Sequence, residues 1–111
     1  MRAEDRDRVR HMVEAASAVG RFIAGRGRAD IDADEQLRFA LLQAIQIIGE
    51  AASRVGTETR DALPAIPWRD IIDMRNRLVH AYFDIDHEIL WKTASEEVPQ
   101  LLAELREIPL K

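Results

Sequence analysis

From Phe39 to Ala52 the chain is apolar almost without interruption: Phe39, Ala40, Leu41, Leu42, Ala44, Ile45, Ile47, Ile48, Ala51 and Ala52, broken only by Gln43, Gln46, Gly49 and Glu50. The run holds no proline and is framed by charged residues, so it reads as a helix that is apolar on every side. Such a helix must be covered on every side. A small bundle covers only part of each member, so the surplus predicts a subunit interface, with a two-fold homodimer as the expected assembly. A deeply central helix within a monomer is the alternative.

The 111 residues suit one domain, expected to span 1–111. Hydrophobic residues make up 47% and charged residues 32%, a balance that supports a packed core and argues against disorder. There is no cysteine, which excludes a disulfide framework and a thiolate site. No apolar run approaches the roughly 20 residues that span a bilayer, and no hydrophobic signal segment follows Met1. A soluble, cytoplasmic protein without a membrane role is expected. A net charge of −4 does not suggest a general nucleic-acid binder. Arg69, Arg75 and Arg77 could still form a local patch for a phosphate chain.

Four or five helices are expected. The first covers Glu4 to about Ala24, with Val9, Met12, Val13, Ala16, Val19, Phe22 and Ile23 forming one stripe. Gly25-Arg26-Gly27 ends it, and 26–33 reads as a polar connector. The second runs from Ala33 or Asp34 to Val55, with Asp32 as a candidate cap and Gly56 as terminator. Residues 57–66 read as irregular, because Pro64 and Pro67 bracket Ala65-Ile66. The third opens at Pro67, buries Trp68, Ile71, Ile72, Met74, Leu78 and Val79, and is expected to end near Tyr82 or Phe83. Asp84 or Asp86 caps the last helix. Its apolar side carries Ile89, Leu90, Trp91, Ala94, Val98, Leu101, Leu102 and Leu105, and Pro99 predicts a kink or break at Glu97-Val98. Nothing reads as a strand pair. The fold expected is an all-α antiparallel bundle.

The residues that carry chemistry lie in Arg75-Asn76-Arg77-Leu78-Val79-His80-Ala81-Tyr82. On a helix of about 100° per residue, Arg75 falls at the rim of the core face. Asn76 and His80 share the flank beside it, and Tyr82 falls near Arg75. These types suit phosphodiester cleavage in RNA. A histidine with a pKa near 6.5 can take and give a proton at neutral pH. An arginine can stabilise the charge that develops on phosphorus-bound oxygens. The 2′-hydroxyl is the nucleophile, so no metal or other cofactor is required. Asn76 could orient His80 or bind a phosphate oxygen. Glu50, embedded in the apolar helix, is a candidate partner for Arg75, since buried charges need partners. Asp84, Asp86 and His87 match no metal motif and read as caps. His11 reads as solvated.

Ile66-Pro67-Trp68-Arg69-Asp70-Ile71-Ile72 followed by Met74-Arg75-Asn76-Arg77-Leu78-Val79-His80-Ala81-Tyr82-Phe83 closely resembles the HepT-like branch of the HEPN superfamily. Ile48-Gly49-Glu50-Ala51-Ala52 and Leu90-Trp91 are similar to it too, so the resemblance covers about Asp34 to Leu105. It implies an all-α homodimer and a metal-independent ribonuclease site built by both subunits. Arg75 and His80 would be catalytic and Asn76 supporting, with Glu50 and Arg77 in auxiliary positions. These proteins resemble toxins of two-gene systems whose partner, a minimal nucleotidyltransferase antitoxin, adds AMP to the tyrosine that Tyr82 matches. Transfer RNA or messenger RNA would be the substrate. The other reading of the same residues is a non-catalytic dimeric helical module that binds a nucleotidyltransferase or a nucleotide.

Overall fold

The computed structural model describes residues 1–81 and 84–110, the side chains of 79–81 excepted. The first helix, α1 (Ala3–Ile23), begins and ends within a residue of expectation. Val9, Met12, Ala16 and Val19 form its buried stripe. Glu4 and Asp5 stand in its first turn and Arg21 in its last, each sign matching the helix dipole. Gly25 closes it with a φ of 74°, which favours glycine.

The expected polar connector is instead a short helix, α2 (Arg28–Ala33). It starts where the Gly27 N–H donates to the Asp30 carboxylate at 2.7 Å, and it buries Ile31 completely. The long apolar helix is α3 (Glu35–Ser53). Its cap is Asp34, which accepts from the Leu37 N–H at 3.0 Å, and not Asp32. Asp32 is engaged elsewhere, with Arg28 at 3.0 Å and His87 at 2.7 Å. The core takes Leu37, Leu41, Ala44, Ile45, Ile48, Ala51 and Ala52, while Phe39 and Ile47 remain 42% and 39% exposed. Part of the apolar surplus therefore faces outward.

The segment expected to be irregular contains α4 (Thr57–Ala62). Gly56 does not terminate α3; it stands at the N-cap of α4. Its N–H donates to Asp5 Oδ1 at 3.1 Å, and the Thr59 hydroxyl donates to Asp5 Oδ2 at 2.5 Å. A buried acid on α1 thus does for α4 what a local cap normally does. The Thr59 hydroxyl first, and the Gly56 N–H second, hold the Asp5 carboxyl below its usual pKa. A carboxyl depressed in the folded state contributes stability above the unfolded value of about 3.9. That contribution is lost as pH falls through the lower folded value. Asp5→Ala should lower stability by about 1–3 kcal/mol at pH 7, because two donors lose their acceptor. Thermal melts should show the gap to wild type narrowing once pH drops below about 4.

The next helix, α5 (Trp68–Leu78), starts where the Pro67 carbonyl accepts from the Ile71 N–H at 3.0 Å. Trp68, Ile71, Met74 and Leu78 face the core, as the periodicity predicts. The Trp68 indole N–H donates to the Leu63 carbonyl at 3.1 Å, anchoring α5 to the turn before it. The helix does not reach Tyr82. After Leu78 the chain is extended, and β1 (Val79–Ala81) pairs antiparallel with β2 (Asp84–Ile85). Val79 stands opposite Ile85 and Ala81 opposite Asp84, with an irregularity between them. This ladder corrects the expectation that no strands pair. The segment is rich in β-branched and aromatic residues, which suit a ladder better than a helix.

Asp86 caps α6 (His87–Lys92), accepting from the Ile89 N–H at 3.0 Å. A π-helical segment, Thr93–Glu97, leads directly into α7 (Val98–Arg106). Pro99 therefore breaks nothing. The helical path is continuous and changes its winding just ahead of the proline. Counting 87–106 as one rod, six helices are present among the described residues, against the four or five expected. α1 packs on α3 and α7, α3 on α5, and their apolar faces merge in one core. α3 and α5 come close at Gly49, where an added Cβ would lie 3.3 Å from the Ile71 carbonyl oxygen and 3.5 Å from that of Ile72. No helix among the described residues is long and apolar enough to cross a membrane.

Candidate active site

The last turn of α5 and the ladder after it carry the sequence-predicted residues. Arg75 is exposed, not half-buried at a rim. Its Nε donates to Gln46 Oε1 at 3.3 Å, and the Gln46 amide donates in turn to Glu50 Oε1 at 3.3 Å. The expected direct pairing of Arg75 with a buried Glu50 is therefore replaced by a relay, and Glu50 is exposed. Gln46 is the residue that sequence reasoning missed. Its spacing of four from Glu50 on one helix was the available signal. The Nη nitrogens of Arg75 have no protein partner among the described residues, so the fork of donors is open to an anion.

Asn76 is exposed beside Arg75, and its side chain has no hydrogen-bond partner among the described residues. Arg77 turns the other way. It approaches Glu97 Oε1 at 3.6 Å and donates to the Asp70 carbonyl at 3.3 Å. Arg69 lines a cleft with Arg60, Asp61 and Trp68. The suggested patch of Arg69, Arg75 and Arg77 is thus divided among three surroundings. His80 belongs to β1, two residues past the end of α5, so it does not share a helical face with Asn76. It lies in β1 at the irregularity between the two registered pairs, and its side chain lies outside the described residues, as does all of Tyr82.

The acidic and histidine side chains around α6 have other work. Arg28 bridges Asp32 at 3.0 Å and Glu88 at 2.6 Å, and His87 Nδ1 meets Asp32 Oδ1 at 2.7 Å. The hydrogen bond from His87 first, and that from Arg28 second, keep the Asp32 carboxyl below its usual pKa. Together they tie α2 to the start of α6, immediately after the ladder that carries His80. Among the described residues no three His, Asp or Glu side chains are placed to hold a metal ion.

An exposed guanidinium anchored through Nε with its terminal nitrogens open is equipped to bind a phosphate, and a histidine follows it five residues on in the sequence. The family described as "Ribonuclease HepT-like" matches residues 12–108. The chain is 35% identical over 101 residues to "Probable ribonuclease HepT" of Thermococcus cleftensis, covering 91% of this chain and 92% of that one. It is 38% identical over 81 residues to "Putative RNase MJ1380" of Methanocaldococcus jannaschii, covering 68% and 74%. It is 31% identical over 98 residues to "Putative RNase TTE0752" of Caldanaerobacter subterraneus, covering 88% of each. No solved structure matches the chain. The helical core, the site at its edge and these relatives lead to one conclusion, that this chain belongs to the HepT-like ribonuclease family.

Proposed function

We propose that the chain, acting as one domain in the cytoplasm, is the toxin of a toxin–antitoxin pair and cleaves transfer RNA or messenger RNA without a metal. Arg75 binds the scissile phosphate and stabilises charge in the transition state. His80 moves the proton to or from the 2′-hydroxyl and the leaving 5′-oxygen. Asn76 supports them. The observation that carries this reading is the Arg75 side chain, tied back through Nε to Gln46 with its terminal nitrogens open. Exposed Phe39 and Ile47, two turns apart on α3, support a homodimer in which two such sites share a groove. A minimal nucleotidyltransferase would neutralise the toxin by adding AMP to Tyr82, and the added phosphate would compete with RNA for its donors.

Purified protein incubated with total RNA in EDTA should cut it and leave cyclic phosphate ends, and light scattering should give about twice the chain mass. No cleavage would favour the non-catalytic helical module. In cells that also express the cognate nucleotidyltransferase, Tyr82→Phe should remain toxic. Full neutralisation of that variant would remove Tyr82 from the scheme.

A further inference from the structure

We propose that the cleft between α1 and the C-terminal end of α3 is a second phosphate subsite, one that holds the RNA chain on one side of the scissile bond. The inference rests on the ribonuclease reading and extends it to how the substrate is held. Arg8 and His11 of α1 line the cleft with Ile47, Glu50, Ala51 and Arg54 of the α3 end. Arg10, Arg26, Arg28 and Arg77 each pair with a carboxylate. The side chains of Arg8 and Arg54 have no ion pair or hydrogen bond among the described residues, although the chain is acidic overall. Two unpaired guanidiniums from different helices, with an imidazole one turn from the first, form a set of donors for phosphate oxygens. The cleft measures about 140 Å³. That is well under the roughly 300 Å³ at which small-molecule sites begin, and it suits a single phosphate group.

Its place along α3 connects it to the first site. Gln46, Glu50 and Arg54 follow one another at intervals of four, along one edge of the helix. Gln46 holds Arg75 at one end of that edge, and Arg54 stands about 12 Å further along at 1.5 Å per residue. A strand gripped at Arg75 that continues along this edge meets the cleft. Glu50, the one acid lining it, lies between the two ends and repels phosphate there. The phosphates therefore sit at the two ends of the strip and not at its middle.

The test uses a 2′-O-methylated single-stranded oligonucleotide of about ten nucleotides, within the range that such grooves take. It cannot be cleaved, because its 2′-hydroxyls are blocked. The double variant Arg8→Ala/Arg54→Ala should bind it more weakly. Its plot of log affinity against log salt should flatten by about 1.4, which is two contacts at about 0.7 each. On cleavable RNA, KM should rise, and the preference for long RNA over a dinucleotide should shrink. Unchanged affinity and salt slope would overturn the proposal. So would equal losses on the dinucleotide and on long RNA, or a shift of the variant to monomer in light scattering. Arg54 also complements the dipole at the end of α3. A fall in Tm with the salt slope unaltered would show that to be its whole role and would likewise overturn the subsite. If the wild type cleaves no RNA, the ribonuclease reading fails, and the oligonucleotide measurement still decides the cleft.

Discussion

Replacing His80 with alanine should lower RNA cleavage by about 10² to 10⁴, the usual worth of a positioned acid–base group. The helical core should survive, because His80 belongs to the ladder beyond α5 and not to the helices whose apolar faces form the core. Circular dichroism and thermal melts should overlay those of the wild type, while product formation in EDTA falls by at least the lower figure. Arg75→Ala should behave alike. Arg75 is exposed and the one side-chain hydrogen bond it makes among the described residues is to Gln46, so stability should change by no more than about 0.5 kcal/mol. A buried ion pair with Glu50 would instead have made that substitution strongly destabilising. Cleavage by His80→Ala at the wild-type rate would remove the proposed acid–base role.

Gly49→Leu should destabilise the fold. A Cβ at Gly49 would press on the Ile71 carbonyl oxygen of α5 and already touch that of Ile72, and backbone cannot swing aside as a side chain can. Overpacking a well-filled contact costs about 1–3 kcal/mol. For a chain of this size that corresponds to a Tm lower by about 4–8 °C for each kcal/mol. Gly49→Ala gains about 1 kcal/mol of helix propensity against a smaller clash, so its net effect should lie near zero. Activity should fall with stability in the leucine variant. Gly49 is one turn from Gln46, and Ile71 is one turn from Arg75, so spreading the helices separates the pair that anchors the guanidinium. Melts and RNA cleavage measured on the same samples check both effects. A leucine variant as stable as wild type would mean that α3 and α5 are not in close contact there.

The elements legible in the sequence were those whose signals are periodic and local. Val9, Met12, Ala16 and Val19 gave α1 to within a residue. Trp68, Ile71, Met74 and Leu78 gave the buried face of α5. What escaped was held by partners far along the chain. α2 contributes one fully buried residue, Ile31, and one residue has no period. α4 is capped by Asp5, 51 positions before Gly56, and no window of local sequence contains both. At the site, the motif drew attention to Arg75 and His80, but carrying helical phase through to Tyr82 gave the wrong relation between Asn76 and His80. Val79 and Ile85 pair as strands instead. Charge alone makes Glu50 a candidate partner for Arg75, where geometry favours the amide of Gln46, one turn closer to the start of α3.

The wide turn at Thr93–Glu97 bears on how sequences of this kind can diverge. It restarts the α-helical ladder at Val98, so that Pro99 falls in a first turn, where a missing N–H is harmless. Deleting one residue from 93–97 would restore ordinary winding and place the proline in a helix interior, at about 3 kcal/mol. Replacing the proline first carries no such penalty. The two changes therefore have a fixed order of descent: a relative that sheds the extra residue must already have given up the proline.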